Sequence, residues 1–73
     1  MDKLEAMQLF VRVAEMGSFS AVAKHLGMDQ VTVSRKISAL EALTGRPLFT
    51  RKRSGAQPTP AARSLLEIGR AHV

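Results

Sequence analysis

Residues 18–40, SFSAVAKHLGMDQVTVSRKISAL, decide the fold. Phe19, Val22, Ala23 and Leu26 stand at i, i+3, i+4 and i+7, the spacing of one apolar face on a helix. Ser18, immediately before them, offers a side-chain oxygen to the free amides of a first turn, and Gly27 ends the segment. Asp29 is the next capping residue. Behind it Val33, Ile37 and Leu40, spaced by four and three, predict a longer helix over about residues 30–43 that stops at Gly45. Only Leu26 to Asp29 separate the two helices. So short a connection folds one amphipathic helix back against the other, which is a helix-turn-helix.

Outward from this pair, Leu4, Met7, Phe10, Val11 and Ala14 recur at helical spacing before Gly17, predicting an N-terminal helix over residues 3–15. Beyond Gly45 and Pro47 the texture changes. Leu48-Phe49-Thr50-Arg51 and Ala56-Gln57-Pro58 flank Lys52-Arg53-Ser54-Gly55, a short hairpin with a glycine-assisted turn, a wing. Two such short strands do not stand alone in water, so Leu48 and Phe49 are expected to dock on the helical core. Thr59 can cap a last helix, with Pro60 at the first position, where a missing amide costs nothing. The predicted fold is therefore mainly α, with a three-helix core, a short β-hairpin wing and a C-terminal helix.

Leu65, Leu66 and Ile68 give that last helix more apolar surface than a small core readily covers. Two placements are open: packing on Phe10 and its neighbours, or pairing with a second copy about a two-fold axis. Pairing into a homodimer is the reading adopted.

Seventy-three residues make one domain. A hydrophobic share of 45% with 23% charged residues lies in the globular range rather than the disordered one. Without cysteine the chain offers no disulfide or thiolate metal site. Arg12 and Glu15 interrupt its best early apolar run, which suits neither a secretory signal nor a membrane span, so a soluble, cytoplasmic setting is expected.

The net charge of +5 is unevenly placed. Through Ser34, Lys3, Arg12 and Lys24 face Asp2, Glu5, Glu15 and Asp29; after it, Arg35, Lys36, Arg46, Arg51, Lys52, Arg53, Arg63 and Arg70 face only Glu41 and Glu67. A concentrated positive field recruits a polyanion, most often nucleic acid.

With Val33, Ile37 and Leu40 buried, Gln30, Val31, Thr32, Ser34, Arg35 and Lys36 point wholly or partly outward. Gln30 can bond an adenine edge, Val31 and the Thr32 methyl can meet a thymine methyl, and Arg35 can reach guanine or a phosphate. Ser34 and Lys36 suit phosphates. Taken alone, this face is equally an ordinary solvated surface. The wing shifts the balance: Arg51, Lys52 and Arg53 are suited to a neighbouring minor groove or its phosphates. Catalysis is not expected, since His25 and His72 are far apart in sequence and no nucleophile, metal-ligand set, cofactor motif or phosphate-binding glycine loop accompanies them. The rival is a helical protein-interaction module whose basic face meets an acidic partner.

Across nearly the whole chain the motifs fall in a familiar order. Phe10-Val11-x-Val13-Ala14-Glu15-x-Gly17-Ser18-Phe19-Ser20 leads to Ala23-x-x-Leu26 and Gln30. Val33-Ser34-Arg35-x-Ile37-x-x-Leu40-Glu41, Gly45-x-Pro47-Leu48-Phe49-x-Arg51 and Pro58-Thr59-x-Ala61 follow. This set resembles the N-terminal DNA-binding domain of LysR-type transcriptional regulators. The resemblance implies a winged helix-turn-helix over residues 1–58 that reads double-stranded DNA. It also implies the start of a linker and dimerisation helix over 59–73, and a separate domain beyond this chain that holds any small-molecule effector. It places Gln30, Val31, Thr32, Ser34 and Arg35 at the groove, Arg51 and Arg53 at the wing contact, and Thr59 on a phosphate.

Four positions depart from the family's pattern. Asp29 replaces the usual serine or threonine cap and brings a charge that repels phosphate; Val31 stands where proline is common. Thr44 replaces a leucine whose packing Leu43 is expected to take over, and Pro60 and Ala62 replace an acidic residue and a glycine.

Overall fold

A computed structural model of the chain describes residues 3–71. Asp2 and His72, named in the sequence reading, lie outside the described residues. Helix α1 spans Lys3–Met16, α2 Phe19–Leu26 and α3 Gln30–Thr44; strands β1 (Phe49–Lys52) and β2 (Gly55–Pro58) follow, then α4 (Pro60–Ala71). The strands form an antiparallel two-stranded sheet, pairing Phe49 with Pro58 and Lys52 with Gly55 around a turn at Arg53 and Ser54. This is the winged helix-turn-helix the sequence predicts.

The α2–α3 corner follows from local chemistry. Ser18 caps α2 by accepting a hydrogen bond from the Ala21 amide at 3.1 Å. At the other end Gly27 takes a left-handed conformation (φ 65°), and the Met28 amide bonds back to the Ala23 carbonyl at 2.8 Å. Glycine adopts that conformation without a Cβ penalty, and the 6→1 bond satisfies a carbonyl the helix end leaves free. Asp29 occupies the position before α3 with extended backbone, but its side chain makes no capping bond. The expected cap is thus present in position and absent in chemistry.

Phe10, Val13, Val22, Val33, Ile37 and Leu48 are the largest fully buried side chains, and they come from α1, α2, α3 and the start of the wing. Burying one such side chain stabilises by about 1.5–3 kcal/mol. Phe49 carries the wing into this core: its ring lies 5.5 Å from that of Phe10 and stands edge-on to Phe19 at 5.6 Å. From the β2 side, the Ala56 amide donates to the Gly17 carbonyl at 2.8 Å.

Two packing expectations are corrected. Leu26, the last member of the α2 stripe, is exposed, because it is the last residue of the helix and lies at the margin of the core. Leu43 does not replace the packing that Thr44 gives up: it is 58% exposed, while the Thr44 hydroxyl turns back to the Glu41 carbonyl at 3.0 Å. On α4, Leu65 and Leu66 are partly buried against the core, whereas Ile68 is 57% exposed.

Candidate nucleic-acid interface

Helix α3 has two faces. Val33, Ile37 and Leu40 are buried, while Gln30, Val31 and Arg35 are exposed and Thr32 and Ser34 half-buried. A helix whose first turns carry amide, hydroxyl and guanidinium groups outward, and whose far side is seated in the core, has the form needed to reach base edges in a major groove.

Lys36 stands apart from its neighbours. Its ammonium forms an ion pair with the Glu5 carboxylate, so the side chain expected on a phosphate bends towards α1.

The wing basic residues also divide. Lys52 and Arg53 are exposed at the end of the hairpin. Arg51 leans the other way, back over the helices. Its Cζ lies 4.2 Å from the centroid of the Phe19 ring, and its Nη2 donates to Ser34 Oγ at 2.5 Å. One wing side chain thereby touches α2 and α3 together.

Thr59 does two structural jobs. Its hydroxyl donates to the Pro47 carbonyl at 2.7 Å and accepts from the Ala62 amide at 3.2 Å, which caps α4 as expected. A hydroxyl has one proton, and here it is already spent. A phosphate oxygen, which only accepts, meets no free donor on this side chain.

Sequence reasoning missed Glu41. Its Oε2 accepts from the Leu48 amide at 2.7 Å and the Phe49 amide at 3.4 Å, tying the second half of α3 to the first residues of the wing. Bonds of this kind to an ionised acceptor are stronger than neutral ones. Leu40-Glu41 is part of the family pattern, but an acidic residue on an outward helix position reads as solvated, and nothing in its spacing announces two backbone partners.

Among the described residues, no cluster of three or more His, Cys, Asp and Glu is placed to hold a metal, and no helix is long and apolar enough to cross a membrane. His25 is exposed on α2.

The sequence profile of the lysR family, bacterial regulatory helix-turn-helix proteins, matches residues 4–63, from the first turn of α1 to the first turn of α4. The chain belongs to the lysR family. Among lysR-type relatives, the HTH-type transcriptional regulator GalR of Pseudomonas putida is 42% identical over 60 residues, covering 82% of this chain and 15% of its own. The chain spans 15 to 25% of the length of the curated relatives it matches. Two solved lysR-type DNA-binding domains, each in complex with DNA, share its fold. That of CbnR superposes with a TM-score of 0.88 at 34% identity, over 96% of this chain and 80% of that one. The BenM domain, bound to catB site 1 DNA, gives 0.84 at 30% identity, over 92% and 75%.

Proposed function

We propose that this lysR-type chain binds double-stranded DNA with sequence preference, as the DNA-binding domain of a bacterial transcriptional regulator. The observation that carries this reading is the outward N-terminal face of α3, held rigidly beside a basic wing, in a fold that closely matches domains solved on DNA. Helix α3 enters the major groove, with Gln30, Val31, Thr32 and Arg35 at base edges and Ser34 at the backbone. Lys52 and Arg53 meet the adjacent minor groove or its phosphates. The chain acts by binding rather than by catalysis. Its α4 begins a linker helix through which two subunits pair on a dyad-symmetric operator, and effector recognition belongs to a part of the regulator outside this chain.

The test is a titration of the chain against duplex DNA at several salt concentrations. Log K is expected to fall linearly and steeply with log salt, because several phosphates are neutralised. Gln30→Ala and Arg35→Ala are expected to reduce the preference for a duplex selected from a random pool over mixed-sequence DNA; Lys52→Ala is expected to weaken both alike. Undetectable binding to mixed-sequence duplex at low salt and micromolar protein refutes the reading and favours a protein-interaction module.

A further inference from the structure

Arg51 differs from the other wing cations in being held on two sides. Its guanidinium lies over the Phe19 ring, and that ring is itself only 6% exposed and fixed edge-on against Phe49. On the other side Nη2 bonds Ser34 Oγ, seventeen residues earlier in the chain and on the groove-facing helix. A buried aromatic ring on α2 and a hydroxyl on α3 therefore hold the guanidinium from two sides. Among the described residues no carboxylate pairs with Arg51, so its charge is ordered without being neutralised.

The direction of the Arg51–Ser34 bond has a chemical consequence. Guanidinium has five N–H donors and no acceptor, so Ser34 must accept, and its own hydroxyl proton stays free to donate. The Arg51 donors not used by this bond and the Ser34 hydroxyl proton belong to two groups in direct contact at the junction of α3 and the wing. A group with several acceptor oxygens and a negative charge, a phosphate, matches that donor set.

We propose that Phe19, Arg51 and Ser34 form one preorganised site for a single backbone phosphate of duplex DNA, with Phe19 acting as a positioning residue for the guanidinium. This rests on the DNA-binding reading above and deepens it: Ser34 and Arg51 are two halves of one contact, distinct from the exposed cations at the wing tip.

A double-mutant cycle tests it, with mixed-sequence duplex as the probe, each affinity measured over the same series of salt concentrations and compared at the lowest. Arg51→Lys keeps the charge but loses the planar stack and the fork, and it is expected to weaken binding about tenfold while the slope of log K against log salt stays unchanged. Ser34→Ala is expected to weaken binding in the unmodified background and to have almost no further effect beside Arg51→Lys, because the two groups act as a unit. Phe19→Leu, which keeps an apolar side chain in the core, is expected to reproduce most of the Arg51→Lys loss; should it fail to fold, the Arg51–Ser34 cycle decides. Full retention of affinity in Arg51→Lys, or losses that simply add in the double variant, overturns the shared site and leaves DNA binding standing. Failure of the unmodified chain to bind overturns both.

Discussion

Around the wing, polar side chains bond the backbone or side chains of other elements; the cleft between α1 and α4 is mostly apolar, with Glu5, Gln8, Arg12 and Glu15 of α1 also in its walls. On the wing side the Glu41 carboxylate holds the Leu48 and Phe49 amides, the Thr59 hydroxyl joins Pro47 to the start of α4, and Arg51 spans Phe19 and Ser34. On the opposite side Met7, Val11, Leu26, Met28, Leu65 and Leu66 line an open groove of about 940 Å³, with Leu4 67% exposed at its edge. Directional bonds fix distances and angles, which a partner with rigidly spaced grooves and phosphates requires. An uncovered apolar cleft fixes little by itself, and exposed apolar surface of this kind marks a place where another surface docks.

The largest expected effect comes from cutting the wing side at its tightest point. Gly55 has φ of +133°, and a Cβ placed there would lie 2.2 Å from the Gly17 carbonyl oxygen. The same carbonyl accepts the neighbouring Ala56 amide, so the wing can sit against the α1–α2 corner only if residue 55 has no side chain. Gly55→Ala is expected to cost about 3 kcal/mol, from forbidden backbone and the lost bond together. Denaturant unfolding measures this, and a change below about 0.5 kcal/mol, the range of ordinary surface substitutions, contradicts the close approach.

Removing the Glu41 tether comes next. Glu41→Ala deprives the Leu48 and Phe49 amides of their carboxylate partner, and hydrogen bonds to charged groups contribute about 1.5–3 kcal/mol, so a loss of about 2 kcal/mol is expected. Hydrogen exchange at the Leu48 amide should accelerate in step. Unchanged exchange there, with unchanged stability, means the tether does not hold the wing in solution.

These two sites also mark where the sequence stops being legible. Helix faces were readable because periodicity encodes them: Val33, Ile37 and Leu40 are buried as their spacing requires, and Ser18 and Thr59 cap the helices they precede. The docking of Leu48 and Phe49 was readable because strands so short need a core to lie on. What periodicity does not carry is the partner of a polar side chain across the fold. Glu5 with Lys36, Glu41 with two wing amides, and Arg51 with Ser34 each join separate elements, so no local pattern distinguishes them from solvated residues. Charge alone therefore assigns Lys36 to a phosphate and Arg51 to the wing contact, without the Glu5, Phe19 and Ser34 partners that the fold gives them. Edges of elements fail for a related reason. Leu26 and Leu43 fit the apolar pattern, yet they lie near the ends of their helices, where there is no core left to cover them.

The smallest effect on the single chain belongs to the apolar side, and it separates a spare hydrophobic surface from an interface. Ile68 lies on α4 with more than half its surface exposed, one turn from Leu65, which faces the groove. In an isolated subunit, Ile68→Ser removes little buried area, so its effect at high dilution is expected to stay within about 0.5 kcal/mol. If α4 pairs two subunits, the unmodified chain gains stability by mass action, and its Tm rises with protein concentration. The serine variant should then match the unmodified chain at high dilution and fall progressively below it as concentration increases. Thermal melts over a wide concentration range read this directly. Tm values that are independent of concentration for both chains would remove α4 pairing from this stretch, and they would leave the wing side, with its fixed polar bonds, as the part of the molecule that this sequence equips for a partner.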